Sequence, residues 1–142
     1  MTAETAWAHL PNAKHIDAVL ADVKARPEVW TTARGAGRDA ARGAGRGAAW
    51  DAAWEAAWVA VRVAVRVAAR YAVWNAAWDA ARDAAWDAAR DVLYALIAWD
   101  SSADLLECTP DVLRAMIDLA EPPVCHQAAL LLPYAIVRSS DK

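Results

Sequence analysis

The sequence has no phenylalanine, and from Ala48 to Ala98 it has neither glycine nor proline. The second absence removes the two residues that most often interrupt a helix, so that stretch can run helical throughout. All five glycines fall between Gly35 and Gly47. Two cysteines, Cys108 and Cys125, are too few for a disulfide framework. No stretch reaches the ~18 uncharged apolar residues of a membrane span. Val124 to Val137 comes nearest, and His126 and Pro133 interrupt it. The N-terminus lacks the charged-then-apolar form of a signal peptide. These absences point away from a membrane protein or a secreted disulfide scaffold, and toward a reducing, bacterial-type cytoplasm.

What is present is a repeat. Every fourth residue from Arg34 to Tyr94 is Arg, Trp or Tyr, sixteen positions without exception. Two places after each of them, from Ala36 to Ala88, stands Ala. The unit is close to Asp-Ala-Ala-Trp, with Arg for Trp and Gly or Val for the others. Codons for Trp, Arg and Gly interconvert by single changes, as do those for Asp, Ala, Val and Gly. Slippage of a short unit in GC-rich DNA would therefore generate this pattern, and it makes the nine Trp packing material before anything else.

Ala is the strongest helix former, so the repeat predicts helix. Val59, Val61, Val63, Val65 and Val67 alternate as a strand would, yet they keep the four-residue frame of their neighbours, and no partner strand is visible. A four-residue step overshoots the helical turn by ~40°, so the Trp/Arg column winds around the helix and no single face is aromatic. The 51 residues from Ala48 to Ala98 would span ~76 Å as one helix, against a radius of gyration near ~15 Å for a compact domain of this size. The repeat is thus either one long helix in an elongated oligomer or a hairpin. A hairpin places its hinge between Arg70 and Asn75, with Asn75 able to cap a new helix.

The flanks read as ordinary helices. Pro11 suits the first turn of a helix running to about Ala25, with Ile16, Val19, Leu20 and Val23 on its apolar face. Pro27 ends it and opens the next. The segment Arg34 to Gly47 is open between helix and loop, because its five Gly oppose a helix that the tetrapeptide frame favours. Ser101 or Ser102 would cap a short helix over Ala103 to Glu107. Thr109-Pro110-Asp111 is a strong helix start, predicting a helix to about Ala120 that buries Val112, Leu113, Met116, Ile117 and Leu119. Pro122 and Pro123 open the last helix, where Leu130, Leu131, Leu132, Ile136 and Val137 form a core element or a dimer seam.

The expectation is therefore one all-α domain over residues 1–142, an antiparallel helical bundle built on the tetrapeptide repeat. Residues 11–47 supply N-terminal helices and the Gly/Arg segment, 48–98 the repeat helices, and 99–142 short apolar C-terminal helices.

Charge is split along the chain. Lys24 to Arg46 carries six basic and two acidic residues, net +4, and Asn75 to Glu121 carries ten acidic and three basic, net −7. The two segments are either separately solvated faces or arms that pair, within a chain or between chains. Arg34, Arg38, Arg42 and Arg46 are the candidate nucleic-acid or nucleotide-binding residues, as a slowly turning basic stripe. The Gly-rich stretch lacks the Lys-Ser/Thr ending of a phosphate loop. Asp79, Asp83, Asp87 and Asp91 repel at a spacing of four, partly offset by Arg82 and Arg90, and form a ladder of equivalent carboxylates rather than an acid/base pair. Cys125-His126 has no zinc spacing to Cys108, His9 or His15, and neither thiol sits in a nucleophile motif. The sequence predicts no catalysis, metal or cofactor.

The run WDAARDAAWDAARD, followed by ALIAWDSSADLL, TPDVLRAMIDLAE and an LLLP tail, resembles Ala/Trp-rich helical proteins of GC-rich actinobacteria and their phages, over about the last ninety residues. That group brings no established activity. A fainter likeness to Ala-rich helical toxin-immunity proteins, whose His-rich pattern is missing here, implies a protein-binding role. The expected function is a non-enzymatic protein–protein interaction module, homo-oligomeric, with a host protein as partner; nucleic-acid binding is the alternative.

Overall fold

A computed structural model describes residues 10–42, 47–70 and 87–141, the side chains of 41–49 and 64–70 excepted. The described residues form an all-α bundle with no strand among them. Its helices are α1 (Ala13–Ala25), α2 (Pro27–Arg42), α3 (Gly47–Arg70), α4 (Arg90–Ala98), a 3₁₀ helix (Asp100–Leu105), α5 (Pro110–Leu119) and α6 (Val124–Ser139). The last of them is the axis: α6 packs against α2, α3, α4, α5 and the 3₁₀ helix. Leu130, Leu131 and Leu132 are completely buried there. Three consecutive leucines point in three directions on a helix, so only a helix surrounded on all sides can bury them all. The apolar tail is thus a core element, and its leucine seam is filled from within the chain.

The flanking helices follow their sequence signals. Ile16, Val19, Leu20 and Val23 are the buried stripe of α1. Only Arg26 separates α1 from α2, and Pro27 opens α2. Gly35 and Gly37 lie inside α2, so this part of the Gly/Arg segment is helix through Arg42. Residues 43–46 and the expected hinge from Arg70 to Asn75 lie outside the described residues, except Arg70 itself, which ends α3.

In α3 the alternating valines are helical. The winding of the repeat column is visible in its burial: Trp50 is buried, Trp54 half-buried and Trp58 exposed. The residues just before the column take the core instead. Ala33, Gly37, Ala53, Ala57, Val61, Ala89 and Leu93 are all buried, and most are small enough for helices to approach closely.

Two readings of the C-terminal part need correction. The 3₁₀ helix begins at Asp100, before either serine, and Ser102 does not cap. Its buried hydroxyl donates to Gln127 Oε1 at 2.9 Å, tying the turn to α6. In α5, Thr109 caps as expected, its Oγ1 accepting from the Val112 N–H at 3.3 Å. Leu113 and Ile117 are buried, but Met116 is only half-buried. Val112 is 44% and Leu119 84% exposed. The helix turns Leu113 and Ile117 inward, so Val112 and Leu119 on its other side face solvent.

Candidate functional site

The most built polar cluster is a cleft among α1, α2, α6 and Leu106, enclosing about 250 Å³. Asp22 and Arg26 stand one turn apart. Arg26 Nε donates to Asp22 Oδ1 at 3.0 Å and Nη2 to Oδ2 at 2.8 Å, a two-point pairing. Arg26 Nη1 also donates to Asp141 beyond the end of α6. Trp30 Nε1 donates to Asp22 Oδ2 at 2.7 Å. Across the cleft the Trp30 and Tyr134 rings lie 6.2 Å apart, and the Arg138 guanidinium sits 5.9 Å from the Tyr134 ring centre. Arg138 Nη1 donates to Leu106 O at 2.6 Å and pairs with Glu107 at 3.0 Å. His15 is exposed at the rim.

Burial alone would raise the Asp22 carboxyl, but the hydrogen bonds from Arg26 and Trp30 outweigh it and hold the pKa below the ordinary value. Asp22 is thus an ionised acceptor across the neutral range. Burial pushes the Tyr134 phenol up, so it stays protonated. Arg26 is raised through its bonds to Asp22 and Asp141. The ionic groups of the cleft answer one another, and chemically the arrangement is a clasp joining the α1–α2 corner to the end of α6.

The predicted arginine stripe faces a different junction. Arg34 is half-buried and its Nε has no hydrogen-bond partner. Arg38 is exposed, with its guanidinium 4.9 Å from the Trp50 ring centre, a cation–π contact. Both act electrostatically on Asp91 of α4, which is only 3% exposed and whose Oδ1 has no hydrogen-bond partner. The Arg42 side chain and all of Arg46 lie outside the described residues. So the basic and acidic segments meet within one chain, at Asp91. Nearby, Arg90 pairs with Asp87 at 2.6 Å, the offset expected from their spacing. The acids Asp79 and Asp83, with Arg82, lie outside the described residues.

Burial raises the Asp91 pKa above its ordinary 3.8, more than Arg34, Arg38 and Arg90 together lower it. A raised carboxylate pKa means that the folded state binds the proton more tightly than the unfolded state does. Stability therefore falls as pH climbs from the ordinary value through the folded one. Asp91→Asn removes that penalty. The variant is expected to have a higher urea midpoint than wild type at neutral pH, and the advantage should disappear at pH below the ordinary carboxylate value. A lower midpoint at neutral pH would show that Arg34 and Arg38 depend on the charge.

Two further groupings lie elsewhere among the described residues. Trp54, Trp58 and Tyr94 form an aromatic cluster between α3 and α4, with ring centres 5.7 to 6.0 Å apart. Burial raises the Tyr94 phenol, which suits a packed ring. Cys108 and Cys125 are half-buried free thiols. His126 leans on Trp99 with ring centres 6.5 Å apart, and burial lowers its pKa. Among the described residues no three His, Cys, Asp or Glu side chains gather to hold a metal ion; His9 lies outside them.

Sequence reasoning passed over Asn12, Asp22 and Gln127. Asn12 follows Pro11 and looks like a helix cap. Its side chain instead turns away and donates to Leu96 O at 2.9 Å and Trp99 O at 3.2 Å, satisfying carbonyls at the end of α4. The one usable signal was the spacing of Asp22, Arg26 and Trp30 at intervals of four, which puts carboxylate, guanidinium and indole on one side of the corner.

No protein-family model matches the sequence, and no curated protein or solved structure matches it either. No helix among the described residues is long and apolar enough to cross a membrane.

Proposed function

We propose that the chain is a non-enzymatic helical interaction module whose task is to bind another protein. The supporting observation is the pair of apolar surfaces outside a core that is already full. Val59 and Val63 on α3 are 58% and 52% exposed, and Leu119 on α5 is 84% exposed, while α6 is wrapped by its own chain. Exposed apolar patches rimmed by charge are what protein-binding surfaces are made of. The polar clusters point the same way, since their charged groups are turned toward one another rather than toward a substrate. The likeness to actinobacterial and phage helical proteins makes an accessory factor acting on a host protein the specific form of the proposal. The two free thiols suit a reducing cytoplasm.

The competing reading, phosphate or nucleic-acid binding through Arg34, Arg38, Arg42 and Arg46, stands second. A polyanion would have to draw Arg34 and Arg38 away from Asp91 and Trp50. Phosphate contacts weaken steeply with salt because each releases counterions. A gel shift with generic DNA and RNA at two salt concentrations separates the readings. The expected result is no shift at low salt. Tight, salt-sensitive binding, lost when the four arginines become Ala, would reverse the order. Capture of a discrete protein from an actinobacterial lysate, weakened by Leu119→Lys, is the positive result expected of the first reading.

A further inference from the structure

The cleft of the Arg26–Asp141 clasp has both room and unspent hydrogen bonds. Its volume is about 250 Å³, whereas a cavity of about 150 Å³ already holds a benzene ring. Val19, Leu106 and Val137 give it apolar walls, and Ala18 stands exposed at its mouth. Its charged lining, Asp22 and Asp141 against Arg26 and Arg138, sums to zero. Each of the four already has a partner within the chain. A charged ligand would have to break one of those pairs and strand the group left behind. Two polar positions remain open. Among the described residues the Tyr134 hydroxyl has no hydrogen-bond partner, although Arg138, Glu107 and Asp22 all act on it electrostatically. Asp22 Oδ1 takes one hydrogen bond, from Arg26 Nε, where a carboxylate oxygen has lone pairs for two.

We propose that this cleft binds a small uncharged phenol, its ring against Val19, Leu106 and Val137 and its hydroxyl joining Tyr134 to Asp22. A hydroxyl fits both open positions, because it accepts from the Tyr134 O–H and donates to the Asp22 carboxylate. A phenol is a better donor than an aliphatic alcohol, and a hydrogen bond to an ionised acceptor is roughly twice as strong as a neutral one. A single ring has no internal rotation to lose when it is seated. The inference goes beyond the protein-binding reading and does not depend on it. It names a ligand and no reaction, which agrees with a lining whose charges are spent on one another.

Calorimetric titration of the purified full chain with phenol at neutral pH should show saturable binding, one molecule per chain, with a dissociation constant near ~1 mM or below. Anisole keeps the ring and loses the donor; benzoate puts a charge in place of the hydroxyl. Each should bind at least about tenfold more weakly, a difference of roughly 1.4 kcal/mol. Tyr134→Phe should weaken phenol binding by about fivefold, the worth of one neutral hydrogen bond. It should also melt like wild type, because the hydroxyl it removes holds nothing within the chain. Ala18→Leu narrows the mouth and should abolish binding. A titration with phenol that does not saturate overturns the proposal. So does anisole binding as tightly as phenol, which would mean an apolar hollow without a hydroxyl seat. Benzoate binding more tightly would hand the cleft to its arginines and overturn it equally. Phenol binding unchanged in either folded variant would put the ligand elsewhere and overturn it as well. Melting curves followed by circular dichroism confirm that the variants fold; if Ala18→Leu does not, Ala18→Val takes its place.

Discussion

Trp30→Ala is expected to destabilise the protein by about 3–5 kcal/mol, the range for removing a large buried aromatic side chain. Trp30 is completely buried. It packs near Tyr134, and its indole N–H holds Asp22. The truncation leaves a hole beside the existing cleft and withdraws one of the donors that keep Asp22 ionised. For a chain of this length the melting temperature should drop by roughly 10–20 °C. Trp30→Phe separates the two contributions. It keeps most of the apolar volume, leaving a smaller hole, and loses the hydrogen bond, itself worth about 1.5 kcal/mol, the low end for a bond to a charged group because Asp22 is partly exposed. The pH dependence gives an independent reading. A depressed carboxylate pKa adds stability that is present above the ordinary value and lost as pH falls through the folded value. Wild type should therefore lose part of its margin over Trp30→Phe in acid. Denaturant titrations at neutral pH and at about pH 3 measure this, and a gap that does not narrow in acid would refute the role assigned to Asp22.

The helical class was legible because it rests on local propensity. An uninterrupted Ala-rich frame has one favourable backbone solution, and the alternating valines did not escape it. Pro27, Pro110 and the α1 stripe were equally readable, since caps, proline positions and a period near 3.6 are properties of a single segment. What failed depended on which neighbour a helix meets. Leu119 and Val112 have the sequence look of core residues, yet on α5 it is Leu113 and Ile117 that are buried, with Met116 half-buried against the core. Apolar identity cannot tell a ridge in contact from a ridge in solvent when a helix carries both.

The sites show the same divide. The charge split was visible as net +4 against net −7. Its meeting point at Asp91 was not, because that depends on how α2 and α4 are placed about α6. Asn12 and Gln127 form bonds across 84 and 25 residues of sequence, and no periodic pattern records such a pairing. The Asp22–Arg26–Trp30 corner, by contrast, is local and was there to be read.

Gly37→Ala and Gly35→Ala should move stability in opposite directions, although both replace glycine by the best helix former in the same helix. At Gly35 nothing lies within 4 Å of an added Cβ, so Ala should gain close to the full propensity difference, about 0.8–1 kcal/mol. At Gly37 the added carbon would stand 2.7 Å from Pro133 Cγ and 2.9 Å from Cδ, well inside contact distance. The proline ring cannot swing aside as a flexible side chain would, and it belongs to α6, the helix on which the bundle is assembled. Pro133 lacks an N–H, so its own turn of α6 already forgoes one helical bond. The close seat of α2 on the ring packs that weakened turn. Forcing the helices apart should cost about 1–3 kcal/mol of over-packing, enough to outweigh the propensity gain. Urea midpoints of the two single variants decide it. A stabilised Gly37→Ala would mean that α2 does not rest on Pro133, and that this glycine is a relic of the repeat rather than a contact.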